Sequence, residues 1–177
     1  MPPPLREASC VAAANAWTLG NFGDYSWLRN SSVLICRRGT GAIAMIGAKL
    51  SHLYRDYIAC LNKQDWPKLA QFVHDDVRYN GQRIGLSGYR EMLERDFHEI
   101  PDLYFNIDLL ISDPPYVASR LSFDCTPQGK FLGLDVNGKT VSFAENVFYQ
   151  FQGEKIEQVW SVIDKAAIEA QLWVLSS

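Results

Sequence analysis

The stretch FYQFQGEKIEQVWSVID, Phe148–Asp164, decides how the second half of the chain folds. Two runs rich in β-branched and aromatic residues flank Gln152-Gly153-Glu154-Lys155, an order that predicts a hairpin made of the last two strands. In the second run Ile156, Gln158, Trp160 and Val162 share one strand face, and Asp164 continues that face. A carboxylate at the end of an apolar face has two explanations. Asp is a favoured N-cap, and KAAIEAQL, Lys165–Leu172, reads as a short helix whose first amides it would cap. A carboxylate facing an apolar cavity can also act as a general base or acid.

The register of the hairpin determines what surrounds it. Pairing Gln152 with Lys155 sets Val147 opposite Trp160 and Phe143 opposite Asp164, so that Phe143, Glu145, Val147 and Tyr149 join the face of Trp160 and Asp164. A single bulge would bring Asn146, Phe148 and Gln150 to that face instead. Upstream, Leu103, Phe105, Ile107, Leu109 and Ile111 alternate with Tyr104, Asn106 and Asp108, which predicts a strand ended by Asp113-Pro114-Pro115. Tyr116–Cys125 reads as another, and Asn137-Gly138 as a turn before a strand from Thr140 to Phe151.

The first half is helical in pattern. Leu50, Leu53, Tyr54, Tyr57, Ile58 and Leu61 recur at helical spacing, and Asp65-Trp66-Pro67 opens a short second helix carrying Leu69, Phe72 and Val73. After the brief strand VRYN, a third helix follows Ser87 or Gly88 with Tyr89, Met92, Leu93, Phe97 and Ile100 on one side, and stops before Pro101. Helices first and strands afterwards predict an α+β domain: a curved antiparallel sheet with helices on one face, enclosing a pocket. This domain is expected over residues 46–177. Residues 1–45 differ, opening MPPPLREASC and holding four arginines against one Glu and one Asp, a net +2 that leaves −5 for the rest of a chain of net charge −3. They are expected to be a loosely ordered extension or translated sequence upstream of a start at Met45, with an organelle transit peptide as the alternative.

With 177 residues and 47% hydrophobic content, the chain can bury one sizeable core. The net negative charge without a Lys or Arg cluster argues against nucleic acid and anionic membranes as partners. Cys10, Cys36, Cys60 and Cys125 form no CxxC pair, and His52, His74 and His98 no HxxxH unit, so no metal is expected. No run reaches the length of a membrane span and no secretory signal opens the chain, which together predict a cytoplasmic protein. Nor is there a Gly-rich phosphate loop, a GxSxG or a Cys/His signature, which leaves cofactor-free acid/base chemistry for an enzyme.

Several residues are candidates for that chemistry. Arg120 is the lone basic residue of YVASRLSF and would donate to a substrate oxygen, pair with an acid, or face solvent. Asn80 would bind a carbonyl oxygen or make the Asn-Gly turn. Trp66, Phe123, Tyr149 and Trp160 would form core or line a site for a flat ligand.

From about Leu50 to Leu172 the sequence resembles the SnoaL-like polyketide cyclases of the nuclear transport factor 2-like superfamily. The resemblance is carried by HDDVRYNG (74–81), IPDLYFNI (100–107), the Arg120 strand, GKFLGLDVNGKTVSF (129–143) and the Phe148–Asp164 stretch. It implies a cone-like barrel of a curved sheet with three N-terminal helices over its concave face and a short C-terminal helix, and a homodimer through the sheet's outer face. It also implies that Asp164, in the W-x-x-x-D pattern beginning at Trp160, is a general base that removes a proton from carbon between carbonyls, so that the enolate closes a ring with no metal or cofactor. Many relatives carry His where Asn80 stands and a Thr-His segment where Thr126-Pro127-Gln128-Gly129 stands, which leaves Asn80, Arg120, Glu145 and Asn146 as substitutes for the helper acid. The leading expectation is a cyclase or isomerase of secondary metabolism. The alternatives are a ligand-binding or dimerisation module of the same fold, and a hydrolase or dehydratase whose activated water would need Glu145 or Asn146 beside Asp164.

Overall fold

A computed structural model describes residues 40–174. The extension expected over 1–45 therefore lies outside the described residues except for its last six, which belong to the first helix. Along the chain run α1 (Thr40–Asn62), α2 (Trp66–Phe72), β1 (Val73–Tyr79), β2 (Gln82–Arg83), α3 (Gly85–Glu99), β3 (Asn106–Asp113) and β4 (Tyr116–Cys125). Then follow β5 (Lys130–Phe131), β6 (Leu134–Asp135), β7 (Val141–Gln152), β8 (Lys155–Ile163) and α4 (Lys165–Val174). This is the α+β order expected from the pattern of helices and strands.

The helices form where apolar spacing and local chemistry agree. Tyr54, Tyr57, Ile58 and Leu61 of α1 are buried, which is the i, i+3, i+4, i+7 stripe of an amphipathic helix. Pro67 sits in the first turn of α2, where its missing N–H has no bond to lose. The Asp65 side chain does not cap that helix; its carboxylate pairs with Lys68 at 2.6 Å. Helix α3 starts at Gly85, ahead of the expected Ser87 or Gly88, because Gly85 turns the chain at φ +67°. It buries Tyr89, Leu93 and Phe97 and stops at Glu99 with Ile100 as its cap, before Pro101.

The main sheet has six strands in the order β2-β1-β8-β7-β4-β3, antiparallel except for the parallel pair β1–β8. That parallel pair joins the two halves of the chain, setting Tyr79 beside Val159. Bulges re-aim two strands. Glu157 is an extra residue in β8, since Phe151 pairs with Ile156 but Gln150 pairs with Gln158. Another shift lies at Asp108 in β3, between the pairs Ile107–Leu121 and Leu109–Arg120.

These bulges correct the expected faces. Ile156 points into the core, yet past Glu157 it is Val159, Ser161 and Ile163 that face inward, while Trp160 and Val162 face out. Phe148 pairs with Trp160, so the second of the two registers considered above is the one adopted. In the same way Leu103, Phe105 and Ile107 are partly buried whereas Leu109 and Ile111 are exposed. Straightening β8 would expose Val159, now fully buried, and turn Trp160 inward.

Candidate active site

A cavity of about 230 Å³ lies between the concave side of β4, β7 and β8 and helices α1 and α3. Leu61, Met92, Phe123, Phe143, Val147 and Val159 supply apolar wall, and the turn between β5 and β6 contributes Leu132. Aromatic rings brace one side: Phe123 and Phe143 stack at 5.0 Å, and Phe105 meets Phe123 edge-on at 5.4 Å.

Two carboxylates face this wall. Glu145 comes from β7, whose inward alternation Phe143, Glu145, Val147, Tyr149 places an acid among apolar neighbours. Burial pushes its pKa up, opposed in part by a hydrogen bond donated by Ser161 Oγ to its Oε1. Asp96 comes from α3, where burial raises its carboxyl to about 6; the Arg95 charge opposes this, and Glu99 and Glu145 add to it. Four tyrosines complete the polar lining: Tyr57, Tyr79, Tyr89 and Tyr149. Tyr57 and Tyr89 hydroxyls share a hydrogen bond of 2.7 Å, and burial holds both phenols well above their ordinary pKa, so both stay protonated, with one hydrogen spent in their mutual bond and the other left to donate. Desolvated acids beside fixed hydroxyls are a suitable arrangement for moving a proton to and from carbon.

Of the residues named from sequence, Glu145, Phe123 and Tyr149 line this cavity. Asp164 does not: it is exposed, its Oδ1 accepts from the Ala167 amide at 3.1 Å, and its own N–H donates to the Ala144 carbonyl at 2.8 Å. The expected position of Asp164 in the cavity wall beside Trp160 and Val162 is thus corrected, because that face of β8 points outward. Trp160 lies on the outer face with it. Arg120 and Asn146 are there too, joined by a 3.2 Å hydrogen bond, with Asp108 3.5 Å from the Arg120 guanidinium. Glu145 and Asn146 are successive residues of one strand and point to opposite sides, Glu145 into the cavity and Asn146 out. Trp66 packs edge-on against Phe97 at the core's margin.

Asn80 takes an intermediate place. It makes the Asn80-Gly81 turn, at φ +47° and +82°, and its side chain also clamps β8, accepting from Ser161 N–H at 2.9 Å and donating to Ser161 C=O at 3.3 Å. Ser161 in turn donates to Glu145, so Asn80 holds the strand that orients a cavity carboxylate. It lines a neighbouring surface concavity with Lys165, and that concavity shares Tyr79, Leu132 and Ile163 with the cavity.

Asp96 was missed from sequence. Its signal was nonetheless present: Tyr89, Met92, Leu93, Asp96, Phe97 and Ile100 follow helical spacing, so an acid interrupts the apolar stripe of α3. Among the described residues no group of three or more His, Cys, Asp or Glu side chains is arranged to hold a metal ion, and no helix is long and apolar enough to cross a membrane.

The family model for the SnoaL-like polyketide cyclases matches residues 51–172, and the chain belongs to that family. A SnoaL-like polyketide cyclase from Agrobacterium tumefaciens str. C58 is 52% identical, with a TM-score of 0.69 over 70% of this chain and 97% of its own. Two more distant structures share the fold alone. AclR from Streptomyces galilaeus, a candidate hydroxylase, is 21% identical with a TM-score of 0.60 over 72% of this chain and 98% of its own. IdmH from Streptomyces antibioticus, a candidate polyketide cyclase, is 16% identical with a TM-score of 0.61 over 70% and 98%. No curated protein matches the chain.

Proposed function

We propose that the protein is a cofactor-independent cyclase or isomerase of secondary metabolism, acting by proton transfer on a polyketide-like, carbonyl-rich substrate. The observation that carries this reading is the pair Glu145 and Asp96 in one apolar cavity, both with raised proton affinity. With one carboxylate ionised and the other protonated, the pair removes a proton from carbon flanked by carbonyls and returns one to the oxygen or carbon that develops charge. The one hydroxyl of the Tyr57–Tyr89 pair whose hydrogen their mutual bond leaves free, together with Tyr79, supplies hydrogen bonds to the enolate oxygen, and the cavity wall folds the substrate so that enolate and acceptor carbonyl meet. The resemblance assigned the base to Asp164; its exposed carboxylate and bond to the helix amide support the capping role for it, and the chemistry passes to the cavity acids. The test is product formation by mass spectrometry, from a pathway extract or a β-dicarbonyl ester. A product of unchanged mass and new retention, or one lighter by water, is expected; no conversion across a panel of such esters would leave only the binding-module reading.

We propose also that the protein is a homodimer through the outer face of the sheet. Phe148, Trp160 and Val162 lie there on the adjoining strands β7 and β8, and Ile111 of β3 lies in the same row beyond Ala118 of β4, with Phe148 56% and Val162 69% exposed. Contiguous apolar surface of this kind on a sheet face marks an interface. Phe148→Lys places a charge at its centre and is expected to convert dimer to monomer in light scattering coupled to gel filtration. A monomeric wild type would end this proposal.

A further inference from the structure

Glu145 and Asp96 share the cavity, yet they are hydrogen-bonded differently. Ser161 Oγ donates to Glu145 Oε1, whereas the Asp96 carboxylate takes no hydrogen bond among the described residues. Ser161 reaches Glu145 from β8. Glu145 pairs with Ile163, so Ser161, two residues back along the strand, is its diagonal neighbour on the inner face. The bulge at Glu157 puts it there by turning Val159, Ser161 and Ile163 inward. The serine is also fixed from behind: Asn80 donates its N–H to the Val159 carbonyl at 2.9 Å, and its side chain takes up the N–H and C=O of Ser161 at 2.9 and 3.3 Å. One turn residue thus sets the backbone from which a single hydroxyl holds Glu145.

A hydrogen bond donated to a carboxylate favours its ionised form and fixes where its other oxygen points. With Oε1 held by Ser161, Oε2 is left to the cavity. The phenols that face Glu145 do not take over this part. Tyr54 and Tyr57 of α1, Tyr79 of β1, Tyr89 of α3 and Tyr149 of β7 are all raised by burial and stay protonated. No Lys, Arg or His lines the cavity among the described residues. Asp96 is the other acid there, and the Glu145 charge is among the causes that raise it, while Ser161 opposes the rise at Glu145.

We propose that Ser161 is a positioning residue for the proton transfer: held by Asn80, its hydroxyl fixes Glu145 as the ionised base and leaves the proton to Asp96 as the acid. The proposal rests on this cavity being the catalytic chamber and deepens that reading by assigning the two roles. In the step itself Glu145 Oε2 takes the proton from carbon, the electron pair of the C–H bond passes into the enolate, and Asp96 gives its proton to the oxygen or carbon that develops charge. Water then takes one proton from Glu145 and gives one to Asp96, which restores the starting forms.

Carboxyl carbon-13 NMR of the full chain, labelled at Glu and Asp side chains, reads both titrations, with the two signals assigned by their loss in Glu145→Gln and Asp96→Asn. In the wild type Glu145 is expected to ionise at lower pH than Asp96. In Ser161→Ala its midpoint is expected to rise by about one pH unit, the effect of losing one hydrogen bond to a charged group. Ser161→Thr keeps the hydroxyl and is expected to titrate like the wild type. Turnover of a β-dicarbonyl ester follows the same order, with kcat about tenfold lower in Ser161→Ala, KM within about twofold, and both restored in Ser161→Thr. A serine that only packed the strand would leave the Glu145 titration where it is. A midpoint unmoved in folded Ser161→Ala, one that Thr fails to restore, or Asp96 ionising first in the wild type overturns the proposal. Because the titration needs no substrate, a wild type that converts nothing while Ser161→Ala moves Glu145 loses the catalytic reading and keeps the assignment of charge. An active enzyme whose Glu145 is indifferent to Ser161 does the reverse.

Discussion

Replacing Glu145 by Gln is expected to lower turnover by about 10²- to 10⁴-fold, the usual contribution of a positioned acid or base, while Asp164→Asn leaves turnover within a few-fold of the wild type. Both changes preserve local geometry. In Glu145→Gln the new amide oxygen can still accept from Ser161 Oγ, and Asn is as good an N-cap as Asp, so α4 keeps the bond now made from Ala167 to Asp164. Asp164→Ala, which removes the cap, is expected to cost about 1 kcal/mol of stability without a matching loss of activity. The measurement that separates chemistry from ring closure is solvent-deuterium incorporation at the carbon between the carbonyls of a β-dicarbonyl ester, followed by NMR alongside turnover. Exchange lost in Glu145→Gln and kept in Asp164→Asn places the proton transfer in the cavity. The opposite pattern would restore the aspartate that follows Trp160 and reduce Glu145 to a hydrogen-bonded core acid.

The contest between those two residues comes from a single extra amino acid. The longer helices and strands, their order and the turns at Asn80-Gly81, Asn137-Gly138 and Gly153 could be read from sequence because each depends on local chemistry: helical spacing, a proline, a residue at positive φ; the two-residue strands β2, β5 and β6 could not, and Val73, expected on the second helix, opens β1. The faces of β3 and β8 could not. Alternation identifies the buried face of a strand only when the other face is polar, and here the outer face carries Leu109, Ile111, Phe148, Trp160 and Val162. With both faces apolar, Trp160 and Val162 look as buried as Val159 and Ile163, and nothing in KIEQVWSVID reveals the bulge at Glu157. The strand was therefore placed correctly and its side chains inverted, which carried Asp164 into an expected cavity and left Glu145 as one of several helpers. Helix α3 hid Asp96 for a different reason: five apolar residues defined the stripe well enough that a sixth, charged one could be overlooked, although its burial is what raises its proton affinity.

That burial makes Asp96 a liability for the fold, and its removal is expected to stabilise the protein at pH 8. Burial holds the carboxyl at a pKa of about 6 in the folded chain against an ordinary value of 3.8, so the folded state binds the proton more tightly than the unfolded state does. Between these two values stability falls as pH rises; below 3.8 both states are protonated and nothing is lost, and above 6 the loss is complete. A shift of this size corresponds to about 3 kcal/mol as an upper bound, and partial exposure reduces it, so Asp96→Asn is expected to gain about 1–3 kcal/mol at pH 8. Urea unfolding of both proteins at pH 8 and at pH 3.5 checks this, with the gain present at the higher pH and absent at the lower. Glu145 titrates in the same sense within the wild type, and comparing Asp96→Asn with the wild type at each pH removes the part of its contribution that is common to both. A variant no more stable at pH 8 would mean that Asp96 is solvated or paired, and the cavity would then hold one perturbed carboxylate in place of two. A variant that gains stability and loses proton exchange would show why an acid occupies the apolar stripe of α3: the folded state tolerates a desolvated charge there because the reaction uses it.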